Sequence, residues 1–160
     1  MLVLNSTSCS SRGGRFNTNL EEKGSDERMT QIVDIIKSQD REALKSLFSR
    51  KALEEAEGFD GKMDDFFSFI QGDINSWEST GWSSNGAIEY GKRTLSIQSG
   101  FSIETDIANY TIFVIDYYID TIEPDNEGIF MIQIRTTEYT KDIGSWQERM
   151  RAGFYFPEAE

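Results

Sequence analysis

The hydrophobic pattern of this chain changes its period once, near Gly72, and that change limits the possible folds more than any other feature. Before Gly72, apolar residues recur every three to four positions, which is the spacing of amphipathic helices. After Gly72, short runs rich in aromatic and β-branched residues alternate with polar residues, which is typical of strands. This order predicts an α+β fold with N-terminal helices packed on one face of a strongly curved antiparallel sheet.

The helical part divides into four short pieces. Asp26 is the expected N-cap of a helix with Met29 and Ile32 on its apolar face, and Asp40 is the expected N-cap of the next helix. Strands are predicted at 74–80, 88–97, 101–104, 110–122, 129–138 and 154–156, with a hairpin loop at 124–128 and a capping-box helix starting at Ser145.

Charge and composition exclude several classes of function. The chain has 160 residues, a formal net charge of -12, one cysteine and no histidine. An acidic molecule repels polyanions, so we expect no nucleic-acid partner. Histidine is the commonest general base and zinc ligand, so its absence argues against a catalytic triad or a zinc site. We expect neither a cofactor nor a metal.

The only cysteine, Cys9, follows an apolar start and small residues and precedes a polar stretch. This order resembles the end of a bacterial lipoprotein signal peptide, in which the cysteine is lipidated. We therefore predict a signal-peptide remnant over 1–8, a flexible tether over 9–25 and a single domain over 26–157. The domain is expected outside the cytoplasmic membrane, held by a lipid anchor at Cys9. The alternative is a disordered tail with a free cysteine.

Several blocks of the chain carry a family resemblance between Met29 and Pro157. They are IVDIIKSQDREALKSLFSRKALEEAEGFD, DFFSFIQGDINSWEST, TLSIQSGFSIETD, NYTIFVIDYYIDTIEPDNEGIFMIQI and GSWQERMRAGFYFP. The chain resembles an uncharacterised family of bacterial lipoproteins, domain of unknown function 5104. The resemblance implies a cystatin-like, nuclear transport factor two-like fold, in which helices close a cone over a bent antiparallel sheet. It also implies the lipoprotein start, but no catalytic residues.

Asp116 and Tyr118 are the weak candidates for catalysis. Some cone-shaped domains use a buried carboxylate and a tyrosine for cofactor-free isomerisation or dehydration. The alternation of this strand argues against that role, because its more apolar face, with Phe113 and Tyr117, is expected to contact the helices. Asp116 is then expected on the outer face, paired with Arg135 in solvent.

Aromatic residues are the expected lining of a pocket beneath the helices. The candidates are Trp77, Trp82, Phe113, Tyr117 and Phe130. The first hypothesis is a non-catalytic domain that binds a small apolar ligand or a protein partner. One alternative is an isomerase or dehydratase that uses the aspartate and tyrosine named above. The other is a structural or protein-interaction domain with a filled core.

The outer sheet face is predicted to need a cover. Ile112, Val114, Ile129 and Met131 are expected there and are too apolar for open water. A homodimer formed through this face, or the chain's own C-terminal segment, could cover it.

Two further patterns have weaker functional interpretations. GAIEYGKRT, at 86–94, approaches a phosphate-binding loop, but Arg93 replaces the required hydroxyl and the surrounding pattern favours a turn and a strand. The acidic clusters Glu54-Glu55-Glu57 and Asp60-Asp64-Asp65 lack the spacing of a calcium loop, so we interpret them as solvated helix faces.

Overall fold

The computed structural model describes residues 18–142 and 149–159. Cys9, the predicted signal remnant, most of the predicted tether and the capping box at Ser145 lie outside these residues. The helices are α1 (Thr18–Ser38), α2 (Arg41–Leu47), α3 (Arg50–Glu55) and α4 (Phe59–Phe69). The strands are β1 (Ile74–Glu89), β2 (Lys92–Thr105), β3 (Asn109–Asp120), β4 (Gly128–Thr136) and β5 (Gly153–Tyr155).

One sheet contains all five strands, in the order β1-β2-β3-β4-β5. The first four strands pair antiparallel with their neighbours, whereas β5 pairs parallel to β4. The α+β class is confirmed. The prediction of a fully antiparallel sheet was wrong, because β5 pairs with the edge of β4 in the same chain direction.

The N-terminal boundary predicted at Asp26 is wrong. Helix α1 begins at Thr18, so residues 18–25 of the predicted tether are helical. Glu21 and Ser25 in this segment are buried, at 4% and 2% exposure. The helix extends to the N-terminal side because its first turns meet polar side chains of the sheet, a contact that a search for apolar residues does not detect. None of the described helices has the length and apolar character needed to span a membrane.

Side-chain caps fix the starts of the next two helices. The Asp40 carboxylate accepts a hydrogen bond of 2.9 Å from the backbone N–H of Ala43, as its sequence position predicts. The Ser49 hydroxyl accepts the equivalent bond from Ala52 at 3.0 Å. These caps end the connecting turns and turn the apolar faces of α2 and α3 toward the sheet.

The helices and the sheet enclose an aromatic and aliphatic core. The rings of Phe48, Phe59, Phe66 and Phe154 form pairs whose centroids lie between 4.9 and 5.3 Å apart. Aliphatic side chains from α1 and from the central strands complete it, among them Ile32, Ile36, Ile103, Ile112 and Ile134. We refer to the sheet face that meets the helices as the inner face.

The assignment of faces was inverted for β3 and for Ile129 of β4, whereas Met131 lies on the outer face as predicted. Tyr110, Ile112 and Val114 of β3 belong to the core beneath the helices, and so does Ile129 of β4. On the outer face, Ile115, Met131 and Tyr155 form a second buried cluster. Both faces of the central strands are therefore covered, and hydrophobicity alone does not distinguish the two faces of such a strand.

The near-match to a phosphate-binding loop is a β-hairpin. β1 ends at Glu89 and β2 begins at Lys92. Tyr90 and Gly91 between them have φ angles of 49° and 80°. Two successive positive φ values are those of the tight turn that matches the twist of paired strands. A turn and a strand within 86–94 are confirmed, but the turn interrupts the strand predicted over 88–97. This segment lacks the strand-to-helix junction that a phosphate loop requires.

Candidate functional site

A group of polar side chains is buried where the first half of α1 crosses β2 and β3. We call it the polar cluster, and it consists of Glu21, Ser25 and Arg28 on α1, Ser99 on β2, and Asp116 and Tyr118 on β3. Residues three or four positions apart share one face of a helix, so the three α1 side chains all face the sheet. Asp116 lies opposite Ile97 in the β2–β3 register, one position along the inner face from Ser99.

The centre of the polar cluster is an ion pair across the two layers. Arg28 Nε donates to Asp116 Oδ2 at 2.5 Å. The Asp116 side chain is 4% exposed and the Arg28 side chain 22% exposed. One helical turn earlier, Ser25 Oγ donates to Ser99 Oγ at 2.6 Å. Two polar contacts therefore join the first half of α1 to the sheet.

Tyr118 closes one side of the polar cluster through a contact that favours glycine. A Cβ at Gly24 would lie 3.0 Å from Cε1 of the Tyr118 ring, closer than side chains normally approach. The Arg28 guanidinium lies 5.9 Å from the centre of the same ring. Glycine at position 24 thus lets the aromatic ring pack directly on the helix backbone, beside the ion pair.

Burial changes the acid–base properties of two members of the polar cluster. Burial raises the pKa of the Asp116 carboxyl above its ordinary value, although the positive charge of Arg28 and its hydrogen bond act in the opposite direction. Burial, followed by the negative charge of Asp116, raises the pKa of the Tyr118 phenol. The tyrosine is therefore a neutral hydrogen-bond donor at physiological pH.

Two carboxylate oxygens in the polar cluster lack a hydrogen-bond partner among the described residues. They are Oε1 of Glu21 and Oδ1 of Asp116, and both residues are at least 96% buried. An unpaired buried acceptor costs about 1–3 kcal/mol, so a pair of them in one cluster is a substantial penalty for folding alone. With both carboxylates ionised, the guanidinium of Arg28 balances only one of the two negative charges, so the cluster has an excess negative charge. The arrangement is suited to a group that donates hydrogen bonds and carries positive charge.

The structure does not bring the five predicted pocket residues together. Trp77 lies on the inner face, where its ring meets Phe101 edge-on at 5.7 Å. Trp82 lies opposite Ser99 in the β1–β2 register. Phe113 and Tyr117, by contrast, pack against the outer cluster.

Phe130 sits at an irregularity of β4. The register passes from Met131, opposite Ile115, directly to Ile129, opposite Asp116, so Phe130 is the extra residue of a β-bulge. Its ring lies 6.1 Å from that of Tyr117. Phe130 contacts both the core and the outer cluster, because a bulge residue has no fixed partner on the next strand.

Asp116 and Arg135 do not form the predicted ion pair. Asp116 is on the inner face, whereas Arg135 of β4 lies opposite Thr111 and donates through Nη1 to the carbonyl oxygen of Tyr139 at 3.4 Å. The prediction was wrong because the faces of β3 were inverted, so Asp116 was assigned to the outer face.

The acidic helix segments make ion pairs at the surface. Asp60 pairs with Lys45 at 2.8 Å, and Glu54 pairs with Arg50 at 2.8 Å. The described ranges contain no group of three or more side chains arranged to hold a metal ion. Solvated helix faces are consistent with these contacts.

Four members of the polar cluster were not predicted as site residues. Ser99 is one of them, and the other three lie on α1, namely Glu21, Ser25 and Arg28. A signal for them exists in their spacing, since positions 21, 25, 28 and 32 continue the helix face that leads to Ile36. The signal is weak because the residues on this face are polar until Met29.

The comparisons with known proteins place the chain in a family. The family model described as Domain of unknown function (DUF5104) matches residues 31–142, which include β1 to β4 and the sheet side of the polar cluster. Glu21, Ser25 and Arg28 precede the matched segment. No curated protein matches the chain. Since the match covers more than half of its length, the chain belongs to the family of domain of unknown function 5104.

Proposed function

We propose that the protein is a non-catalytic binding domain that receives a small ammonium-bearing ligand at the polar cluster. The observation that carries the proposal is the pair of buried carboxylate oxygens without partners, on Glu21 and Asp116. An ammonium group has three N–H donors and a positive charge, so it could donate to one of these acceptors, the free Asp116 oxygen, and offset the excess negative charge. Arg28 already occupies the second oxygen of Asp116, which fixes the direction of the free oxygen.

The proposal includes the location and shape of the domain. The order of apolar, small and cysteine residues up to Cys9 supports a lipid anchor, and hence a position outside the cytoplasmic membrane. Helices that precede the strands, and bulges in all three antiparallel pairings, support a cystatin-like cone, since bulges bend strands. The polar cluster then lies on the concave side of the sheet.

The binding test compares three small probes by their effect on thermal unfolding. n-Butylammonium supplies charge and N–H donors, tetramethylammonium supplies charge alone, and n-butanol supplies the alkyl chain with a hydroxyl group. At equal ionic strength, only n-butylammonium is expected to raise the melting temperature beyond the effect of salt. The apparent affinity is expected to fall about tenfold or more in Asp116→Asn, since one charged hydrogen bond is worth about 1.5–3 kcal/mol.

The matched control is Asp34→Asn, which removes an exposed carboxylate from the same helix. It should leave the response to n-butylammonium unchanged. Equal effects of the two ammonium probes, or an unchanged response in Asp116→Asn, would contradict the proposal. The polar cluster would then act only as a structural contact between α1 and the sheet.

A cofactor-free proton-transfer enzyme is the second candidate, and the position of Asp116 favours it. Asp116 and Tyr118 share the inner face, and burial raises the pKa of both groups. A carboxylate with a raised pKa and one free oxygen is suited to remove a proton next to a carbonyl, and a neutral phenol can donate to the resulting oxyanion.

Exchange of α-protons in small ketones, dissolved in D₂O and followed by NMR, tests this candidate. An enzyme would be supported if the parent protein catalyses this exchange faster than Asp116→Asn does, and if Tyr118→Phe slows it. Exchange equal in the parent protein and both variants would leave ligand binding as the function of the polar cluster.

A further inference from the structure

The edge strand β1 presents a long surface of free backbone groups. β1 is the first strand in the sheet order, has 16 residues, and pairs with β2 alone among the strands of residues 18–142 and 149–159. The opposite edge, β5, has only three residues. A free edge of this length is a template for pairing with another strand, and proteins normally protect such edges with charges, proline or bulges.

Most of the free edge lacks that protection. The segment Ser79 to Ile88, sequence STGWSSNGAI, contains no charged residue and no proline, although 28% of the chain is charged. All of its residues except Trp82 are exposed. A bulge lies between Ser79 and Gly81, at the start of the segment, so it leaves the remainder unprotected. We call residues 81–88 the open edge.

We propose that two copies of this chain pair antiparallel through the open edge, around a two-fold axis perpendicular to the sheet. A second copy fits because this pairing is self-complementary and closes after one contact. In a molecule with a net charge of -12, an uncharged segment is where two copies approach with least repulsion. The result is a continuous ten-stranded sheet with the helices of both copies on one side.

Charged residues flank the open edge but do not lie within it. A perpendicular two-fold axis places residues of the same face, and hence of the same parity, opposite one another. The bulge at Thr80 shifts the alternation of side chains, so Glu78 and Glu89 both lie on the outer face, opposite Ser102 and Lys92 of β2, and both lie beyond the ends of the open edge. Ser83 and Asn85, on the outer face of the strand, come within reach of the same two residues of the other copy.

Charged substitutions at Ser83 and Asn85 test whether two copies pair through the open edge. The chain is studied by sedimentation equilibrium as Cys9→Ser, which prevents an intermolecular disulfide. The parent protein is expected to form a reversible dimer. Ser83→Lys with Asn85→Lys, or Ser83→Glu with Asn85→Glu, should each weaken the dimer about tenfold or more, because like charges then oppose each other. An equimolar mixture of the two variants should recover a heterodimer at least as tight as the parent dimer.

Ser46→Lys on α2 is the control, since this residue is exposed and distant from β1 in the fold. It should leave the dimer unchanged. A parent protein that stays monomeric overturns the proposal. So does a dimer that tolerates both charged pairs, since its interface is then elsewhere, for example on the outer sheet face.

Discussion

At the scale of the residue, the ion pair between Arg28 and Asp116 determines the character of the site. Removing one partner from a buried pair is costly, since the remaining charge is left in a poorly solvated place. Arg28 retains partial contact with solvent, whereas Asp116 does not. The carboxylate therefore bears most of the desolvation, which is why the pKa of Asp116 is raised despite its cation.

The raised pKa of Asp116 predicts a specific pH dependence of stability. The folded protein holds the proton of the Asp116 carboxyl more tightly than the unfolded chain, in which the ordinary pKa of this group is 3.8. The stabilising contribution is therefore complete below that value and is lost as the pH rises through the folded pKa. Urea unfolding of the parent protein and Asp116→Asn should show the parent losing stability relative to the variant as the pH rises above about 4.

Asp34→Asn serves as the reference for the loss of one negative charge on α1. The difference in unfolding free energy between this variant and the parent protein should change less over the same pH range, because the Asp34 side chain is exposed. If instead the parent gains stability relative to Asp116→Asn as the pH rises, the attraction of Arg28 outweighs the burial of the carboxylate.

At the scale of the element, α1 has two halves with different partners. From Met29 onward its inner face is apolar and packs in the core. From Glu21 to Arg28 the same face is polar and contacts Ser99 and Asp116. A helix whose first turns bury polar groups needs matching polar groups on the sheet. The start of α1 and the polar cluster therefore depend on each other.

The helical state of the first turns can be tested with glycine and alanine at Glu22, which is exposed. In a helix interior, glycine is less favourable than alanine by about 0.5–1 kcal/mol, whereas in a flexible tether the two are nearly equivalent. We expect Glu22→Gly to be less stable than Glu22→Ala by this amount in chemical denaturation. The same two substitutions at Glu27, which both the sequence and the structure place in the helix, give the reference value for the stability difference between glycine and alanine. A difference at Glu22 below about a third of that at Glu27 would indicate a tether.

At the scale of the whole molecule, the sequence predicts the order of elements better than their faces. The capping position of Asp40 follows from local chemistry, and it is confirmed. The inward orientation of Asp116 depends on the burial of both sheet faces, which a single strand does not reveal. The polar half of α1 depends on its partners in β2 and β3, which are more than 70 residues distant in sequence.

The acidity of the molecule as a whole predicts that salt stabilises it. The folded chain concentrates a net charge of -12, and its exposed ion pairs, such as Lys51 with Glu123, are each worth at most about 1 kcal/mol. Raising KCl from about 0.01 M to 1 M shortens the screening length from about 30 Å to 3 Å, which suppresses this repulsion. We expect the melting temperature to rise by about 3 °C or more, and by less in Asp34→Asn combined with Glu57→Gln, which removes two exposed charges. A fall in melting temperature would mean that the ion pairs outweigh the net repulsion.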